Sequence, residues 1–332
     1  ISIIQNISNQ KDNISNFDSC HQMVDEYSGY LLWSIYQAFF IQPTNEQDLS
    51  AKLEVQGKYI RLYKTLLGLL INAGFIEKKS ESFLSITEKG KSLETASQIK
   101  KLEESRNQIV KKFADSKFMF ELLHSCVSNL NQVLAGKVKS VEAMFPGGDV
   151  SMVENVYKKN EILRIYSQLV ASSIRKMIEI KLQERPSDKI RILEIGAGTG
   201  GTSAFVFDEI DSFASQLHYC YTDISGGFLQ HGKSAYGKNR SYLEFKLLDV
   251  EKEVSNQNIE LGSYDIVFAS NVIHATKKID ATIKKAQSLL KKGGVLLLNE
   301  TTKVLNFTTL TFGLADGWWL FEDESIRLPN SP

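Results

Sequence analysis

The stretch Ile192-Leu193-Glu194-Ile195-Gly196-Ala197-Gly198-Thr199-Gly200-Gly201-Thr202 decides how this chain folds. An apolar run of strand length, Ile190 to Ile195, enters a glycine-rich turn, and the turn opens into a helix. Gly196, Gly198 and Gly200 suit such a turn because a Cβ there would obstruct either the required φ angles or a ligand approaching the backbone. Read literally, Gly196, Gly198 and Gly201 also satisfy G-x-G-x-x-G, with Asp223 about 20 residues further on, so a dinucleotide site is one possible reading.

Downstream, strand-like runs at Tyr219–Tyr221, Tyr242–Leu247, Tyr264–Ala269 and Val295–Leu298 alternate with amphipathic stretches such as Ile279 to Leu290. That order predicts a doubly wound parallel sheet with helices on both faces. Acids fall at successive strand ends. Glu194 precedes the first glycine, where a carboxylate would attract a cationic amino group and repel a pyrophosphate. Asp223 ends the second strand, where it would accept from ribose hydroxyls. Asp249 follows the third, placed to accept from an adenine amino group while Leu248 packs on the ring. Any one of these could be an ordinary capping acid; their joint spacing favours a zwitterionic adenosyl ligand, S-adenosylmethionine (SAM), over NAD. Asn271, after the fourth strand, completes the expected cofactor edge.

Asn271-Val272-Ile273-His274-Ala275-Thr276 follows the fourth strand and Asn299-Glu300-Thr301-Thr302 the fifth, both at the carboxyl edge of the expected sheet, where ligands bind. A His alone after a strand is commonly structural. Paired with a carboxylate, its tautomer is fixed, and the other ring nitrogen can take a proton from a substrate. His274 and Glu300 are therefore the candidate pair, and no metal is needed.

Upstream, residues 1–17 are rich in Asn, Ser and Gln and read as a linker. Phe17 to Gln42 has apolar residues at helical spacing up to Pro43, and a second helix is expected from Tyr59 to Ala73, closed by Gly74. Two short strands, Phe75 to Ser80 and Phe83 to Thr87, follow it, so helix and hairpin together look like a winged helix. Pro146-Gly147-Gly148 marks the expected seam between a mainly helical, winged-helix-like lid subdomain over residues 18–145 and a catalytic core over 146–332.

Composition excludes several classes. Lys+Arg and Asp+Glu number 39 each, and the hairpin's charges are mixed, so no nucleic-acid partner is expected. The three cysteines, Cys20, Cys126 and Cys220, lie too far apart for a zinc knuckle or disulfide framework and suggest reduced thiols in the cytoplasm. No apolar run approaches the roughly 20 residues of a membrane helix, and neither secretion nor a membrane role is expected. The first residue is Ile1, and the expectation is a domain cut from a longer polypeptide.

The segments LEIGAGTGGTSAFV, YTDIS, SYDIVFASNVIHATK, LLKKGGVLLLNETT and LTFGLADGWWLFEDESIRLP resemble the methyltransferase domains of modular polyketide synthases, above all the carbon-methylating ones, from about Ala143 to Pro332. The resemblance implies a class I SAM-dependent methyltransferase fold, Rossmann-like, with S-adenosylhomocysteine as product. His274 and Glu300 match the family's catalytic pair, and Tyr157 of Val156-Tyr157-Lys158 matches a lid tyrosine. It further implies α-methylation of a β-ketoacyl thioester on the phosphopantetheine arm of an acyl carrier protein, with the parent synthase's other domains as partners. Phe312, Trp318, Trp319 and Phe321 would line an acyl channel or pack in the core. The rival readings are an O-methyltransferase of the same synthase family acting on a β-hydroxyacyl thioester and, from another class, an NAD-dependent reductase. No Tyr-x-x-x-Lys follows the glycine turn to support the latter.

Overall fold

The computed structural model describes residues 11–92, 95–159, 161–328 and 331. Two compact units emerge: one takes residues 157–302 and 320–326, the other residues 13–156 and 303–319, with short terminal pieces assigned to each. The division thus falls between Val156 and Tyr157, beyond the Pro146-Gly147-Gly148 turn, and residues 303–319 return to the helical unit.

In the helical unit α1 runs over Lys11–Tyr36, so the helix begins inside the stretch read as linker; residues 1–10 lie outside the described ones. Cys20, Val24, Tyr27, Trp33 and Tyr36 are buried at helical spacing, a stripe long enough to carry the polar first turns. After β1 (Thr44–Asn45) and α2 (Glu46–Lys52), α3 covers Ile60–Asn72 and ends before Gly74, whose φ is +75°. β2 (Ile76–Lys78) and β3 (Phe83–Ile86) form the hairpin, and β1 adds antiparallel to β3 in a sheet ordered β1-β3-β2. Trp33 stacks on Phe75 with centroids 5.3 Å apart. The later helices are α4 (Thr95–Lys112) and α5 (Lys117–Leu134), and α5 buries Leu122, Leu123, Cys126, Leu130 and Leu134.

Residues 303–319 are tied into this unit by polar bonds. Asp25 Oδ1 accepts the Phe307 N–H at 3.2 Å, Tyr59 Oη donates to Asp316 at 2.7 Å, and the Trp319 indole donates to Gly313 O at 2.7 Å. Trp319, 5% exposed, is thus a packing residue here.

The other unit begins with the end of α6 (Ser151–Lys159) and α7 (Glu161–Glu184). Next come β4 (Ile190–Ile195), α8 (Gly201–Ile210), β5 (Leu217–Asp223), α9 (Gly226–Tyr236), β6 (Leu243–Leu247), β7 (Tyr264–Ser270), α10 (Ile279–Ser288) and β8 (Leu290–Asn299). The five strands are parallel in the order β6-β5-β4-β7-β8. Strand alternation sends Ile192, Tyr219, Tyr221, Ile266 and Phe268 to one face with Ile174, Ile178 and Phe207. Leu193, Ile195, Cys220, Val267 and Ala269 go to the other face with Leu248 and Leu289. Lys291-Lys292-Gly293-Gly294 is absorbed as a register shift between the pairs Tyr264–Leu290 and Ile266–Val295, with Gly293 at φ +76°.

Asp265 of β7, 1% exposed, accepts from Arg191 N (3.0 Å), Lys291 Nζ (2.7 Å) and Arg185 Nη2 (3.0 Å). Burial alone would raise this carboxyl's pKa, but the Arg191 amide and the Lys291 and Arg185 cations outweigh it and hold the group low. Asp265→Ala should cost about 3 kcal/mol, because it strands converging donors, and Asp265→Asn less. Since the folded pKa is depressed, the stabilisation is present above about pH 4 and lost as pH falls further. Urea midpoints across that range, wild type against Asp265→Asn, check this: the wild type should converge on the variant in acid.

Candidate active site

The chain leaves β4 through a turn in which Gly196, Gly198 and Gly200 have φ of +64°, +57° and +78°. At Gly196 the requirement is also steric, because a Cβ would lie 2.6 Å from Cγ2 of Val272. The turn is pinned to the neighbouring strand: Ala197 N donates to Thr222 O at 2.9 Å and Gly198 N to Asp223 Oδ2 at 2.8 Å. Asp223 Oδ1 accepts from Ser225 N at 2.7 Å. Burial raises the Asp223 pKa, opposed by these amide donors.

Glu194 lies beneath the turn, 2% exposed. Its carboxyl accepts from Tyr219 Oη at 2.6 Å and from Ser203 Oγ at 2.8 and 3.0 Å. Burial lifts its pKa to about 7 against the pull of these bonds. The Glu194 carboxyl is thus held by Ser203 and Tyr219 from neighbouring elements. Leu248 is likewise turned inward, 3% exposed among the core residues behind the sheet, and the apolar side chains left open beside it are Ile224 at 68% and Leu247 at 57% exposure. Asp249 is partly buried, its side chain 17% exposed, accepting from Glu251 N at 3.0 Å with Lys252 Nζ 3.2 Å away.

On the adjacent strand ends, Asn271 takes φ +55°, a left-handed conformation that reverses the chain into the short turn Ile273–Ala275. Glu300, just past β8, holds that turn. Its Oε1 accepts from Val272 N (3.0 Å) and Ile273 N (2.8 Å), and its Oε2 lies 2.6 Å from His274 Nδ1. The side chains of His274 and Glu300 keep 13% and 20% exposure. Thr301 Oγ1 donates to Asn271 Oδ1 at 3.1 Å. Tyr157 rests against the start of α8, where a Cβ on Gly201 would meet it at 3.0 Å. Burial, reinforced by the charge of Glu300, pushes its phenol up to about 12. Among the described residues no group of three or more His, Cys, Asp or Glu could hold a metal ion.

A family model described as "Methyltransferase domain" matches residues 193–296. Polyketide synthase PksR of Bacillus subtilis is 40% identical over 217 residues, 65% of this chain, which spans only 8% of PksR. The solved carbon methyltransferase of DszA superposes with a TM-score of 0.86 at 33% identity, covering all of this chain and 83% of that one. For the CurJ carbon methyltransferase the figures are 0.84 and 27%, covering 100% and 85%. This chain belongs to the carbon-methyltransferase domains of polyketide synthases. As such a methyltransferase it uses SAM and not NAD.

The carbon methyltransferase's cofactor edge fits that molecule chemically. Gly198, with nothing within 4 Å of a would-be Cβ, leaves backbone open to a ligand, whereas Gly196 and Gly200 make room for Val272 and Tyr236; acids lie at or near the ends of β4, β5 and β6, and exposed Ile224 and Leu247 offer apolar surface for a flat ring. Sequence reasoning missed Ile224, although it directly follows the β5 acid and an apolar residue there had no strand face to fill. It also missed Ser203 and Tyr219, whose link to Glu194 spans separate elements and leaves no local pattern.

Gly196→Ala should destabilise this unit by at least about 2 kcal/mol, since it adds left-handed strain to a clash with Val272. Gly198→Ala, with nothing within 4 Å of its Cβ, should cost only the strain; thermal melts compare the two. Glu194 holds its proton longer folded than unfolded, so its contribution to stability declines as pH rises from 4.5 to about 7. Glu194→Gln should lack that decline, and denaturant midpoints across the window would show it.

Proposed function

We propose that this domain methylates the α-carbon of a β-ketoacyl thioester presented on the phosphopantetheine arm of an acyl carrier protein, with His274 as general base. The carrying observation is the 2.6 Å contact between His274 Nδ1 and Glu300 Oε2. Glu300 is held by two backbone amides, so its second oxygen is aimed at the imidazole. In that arrangement Nδ1–H donates to Glu300 and Nε2 carries the basic lone pair. Nε2 takes the α-proton, made acidic by the two flanking carbonyls, and Glu300 stabilises the imidazolium that results. Bound SAM supplies the electrophilic methyl group on its sulfonium. The electron pair left on the α-carbon would take that methyl group, forming the new carbon–carbon bond as the carbon–sulfur bond breaks, with its electron pair going to sulfur and S-adenosylhomocysteine leaving. Tyr157, a phenol that is neutral at physiological pH and that burial pushes further from ionisation, serves as a hydrogen-bond donor to the developing enolate oxygen.

For the cofactor, the Gly196, Gly198 and Gly200 backbone would receive the methionine portion, with Asn271 on the neighbouring strand end. Asp223 would accept from ribose hydroxyls and Asp249 from the adenine amino group. Glu194 would act from below, through charge and by holding the turn, and Leu248 through its backbone. The carrier protein and the other domains of a parent synthase are the proposed partners.

Intact-mass analysis of carrier-bound β-keto and β-hydroxy acyl thioesters incubated with SAM tests this, through the roughly 14 Da gain of one methyl group. We expect gain on the β-keto substrate alone, falling about 10²–10⁴-fold in His274→Ala with SAM affinity retained. Glu300→Gln should give a smaller loss. Gain only on the β-hydroxy substrate would transfer the assignment to oxygen methylation.

A further inference from the structure

The acidic end of Gly317-Trp318-Trp319-Leu320-Phe321-Glu322-Asp323 has no part in the reaction above, yet it is bonded next to the residues that do. α10 begins at Ile279 with Lys278 in the cap position and no side-chain cap of its own. Asp323 supplies one from a remote part of the chain: its Oδ2 accepts the Ile279 N–H at 2.7 Å, where a carboxylate also complements the positive end of the helix. Glu322 N donates to Lys277 O at 2.8 Å, and the Glu322 carboxylate lies 3.4 Å from Lys278 Nζ. From another direction Glu251 Oε1 accepts the Lys277 N–H at 2.7 Å. The backbone from 277 to 279 is therefore gripped from outside along its length.

That segment adjoins the His274 turn through Thr276, which is 5% exposed. Thr276 Oγ1 donates to Ile273 O at 2.7 Å and accepts from Thr282 Oγ1 of α10 at 2.9 Å. The first turn of α10, Thr276 and the turn bearing His274 are one hydrogen-bonded piece, braced by Glu300 at its start and by Asp323 at its end.

We propose that Asp323 is a positioning residue for methyl transfer: by pinning the start of α10 it fixes the turn that carries His274 and keeps the imidazole aligned on Glu300. This rests on His274 being the base.

The test is a double-mutant cycle on the full chain. Single-turnover methylation at saturating SAM is measured for the wild type, Asp323→Ala, Asp323→Asn, His274→Ala and the Asp323→Ala/His274→Ala double variant, with SAM affinity by calorimetry and folded fraction by melting. Asp323→Ala should slow the reaction about tenfold while SAM Kd and the acyl-carrier KM stay within about twofold. Asp323→Asn, whose carbonyl still accepts the Ile279 N–H, should recover most of the rate, and the double variant should be no slower than His274→Ala alone. If Asp323→Ala does not fold, Asp323→Glu displaces the acceptor without removing it and should give a smaller loss of the same non-additive kind. An unchanged rate, a loss that multiplies in full on the His274→Ala background, or a loss matched by the fall in folded fraction would overturn the proposal. Wild-type rate in His274→Ala would instead overturn the base assignment, and the positioning role with it.

Discussion

The absence of a side chain at Gly196 is the constraint on which the rest of the site depends. β4 and β7 are hydrogen-bonded neighbours, so the segments leaving their carboxyl ends compete for the same space. With a hydrogen at Gly196, Val272 can lie against the glycine turn, as the 2.6 Å distance to a hypothetical Cβ demonstrates. Val272 is also one of the two residues whose amides Glu300 grips, and His274 lies two residues beyond it. The spacing between cofactor turn and imidazole is thereby set by backbone contact, more rigidly than long side chains could set it. Asn271 bears the cost in a left-handed φ of +55°, a conformation Asn tolerates better than most residues.

Much of this was legible in the sequence because it is local. The strands of the parallel sheet announce themselves as apolar runs, the glycine turn by composition, and the positions after strand ends by counting. His274 and Glu300 could be paired before any coordinates because parallel strands put both at one edge. What was not legible depends on distant partners. The start of α1 at Lys11 follows from an apolar stripe further along the helix. Leu248, expected to pack on the ring, lies just past the end of β6 and is buried in the core behind the sheet, while Leu247 at the strand's end is exposed. The two-residue strand β1 carries no periodicity and exists only because β3 offers it an edge.

The segment ending Gly317-Trp318-Trp319-Leu320-Phe321-Glu322-Asp323 shows the same limit from another side. Its aromatics attract notice and suggested an acyl channel, but Trp319 is consumed by packing and by its bond to Gly313. Its acids look like solvated charge in a sequence, since nothing local distinguishes a helix cap donated from more than forty residues away. The hint was a negative one, because Lys278 is a poor cap for the helix that follows it and some other acceptor had to serve.

The acids of the sheet divide by what neutralises them. Asp265 is surrounded by an amide and cations, and its carboxyl is held low, so its charge is settled within the protein. Glu194 and Asp223, at the carboxyl ends of β4 and β5, receive hydroxyl and amide donors but no cation, and both are pushed upward by burial. Hydrogen bonds reduce that penalty without removing it, because dipoles compensate a buried charge less completely than an opposite charge does. A ligand bearing positive charge would favour the ionised forms, and by reciprocity the ionised forms would favour that ligand. SAM carries such charge on its sulfonium and its ammonium, so under the proposed cofactor placement the burial cost left in Glu194 and Asp223 would act as selectivity for it, whereas the charge of Asp265 is already met by the protein's own cations.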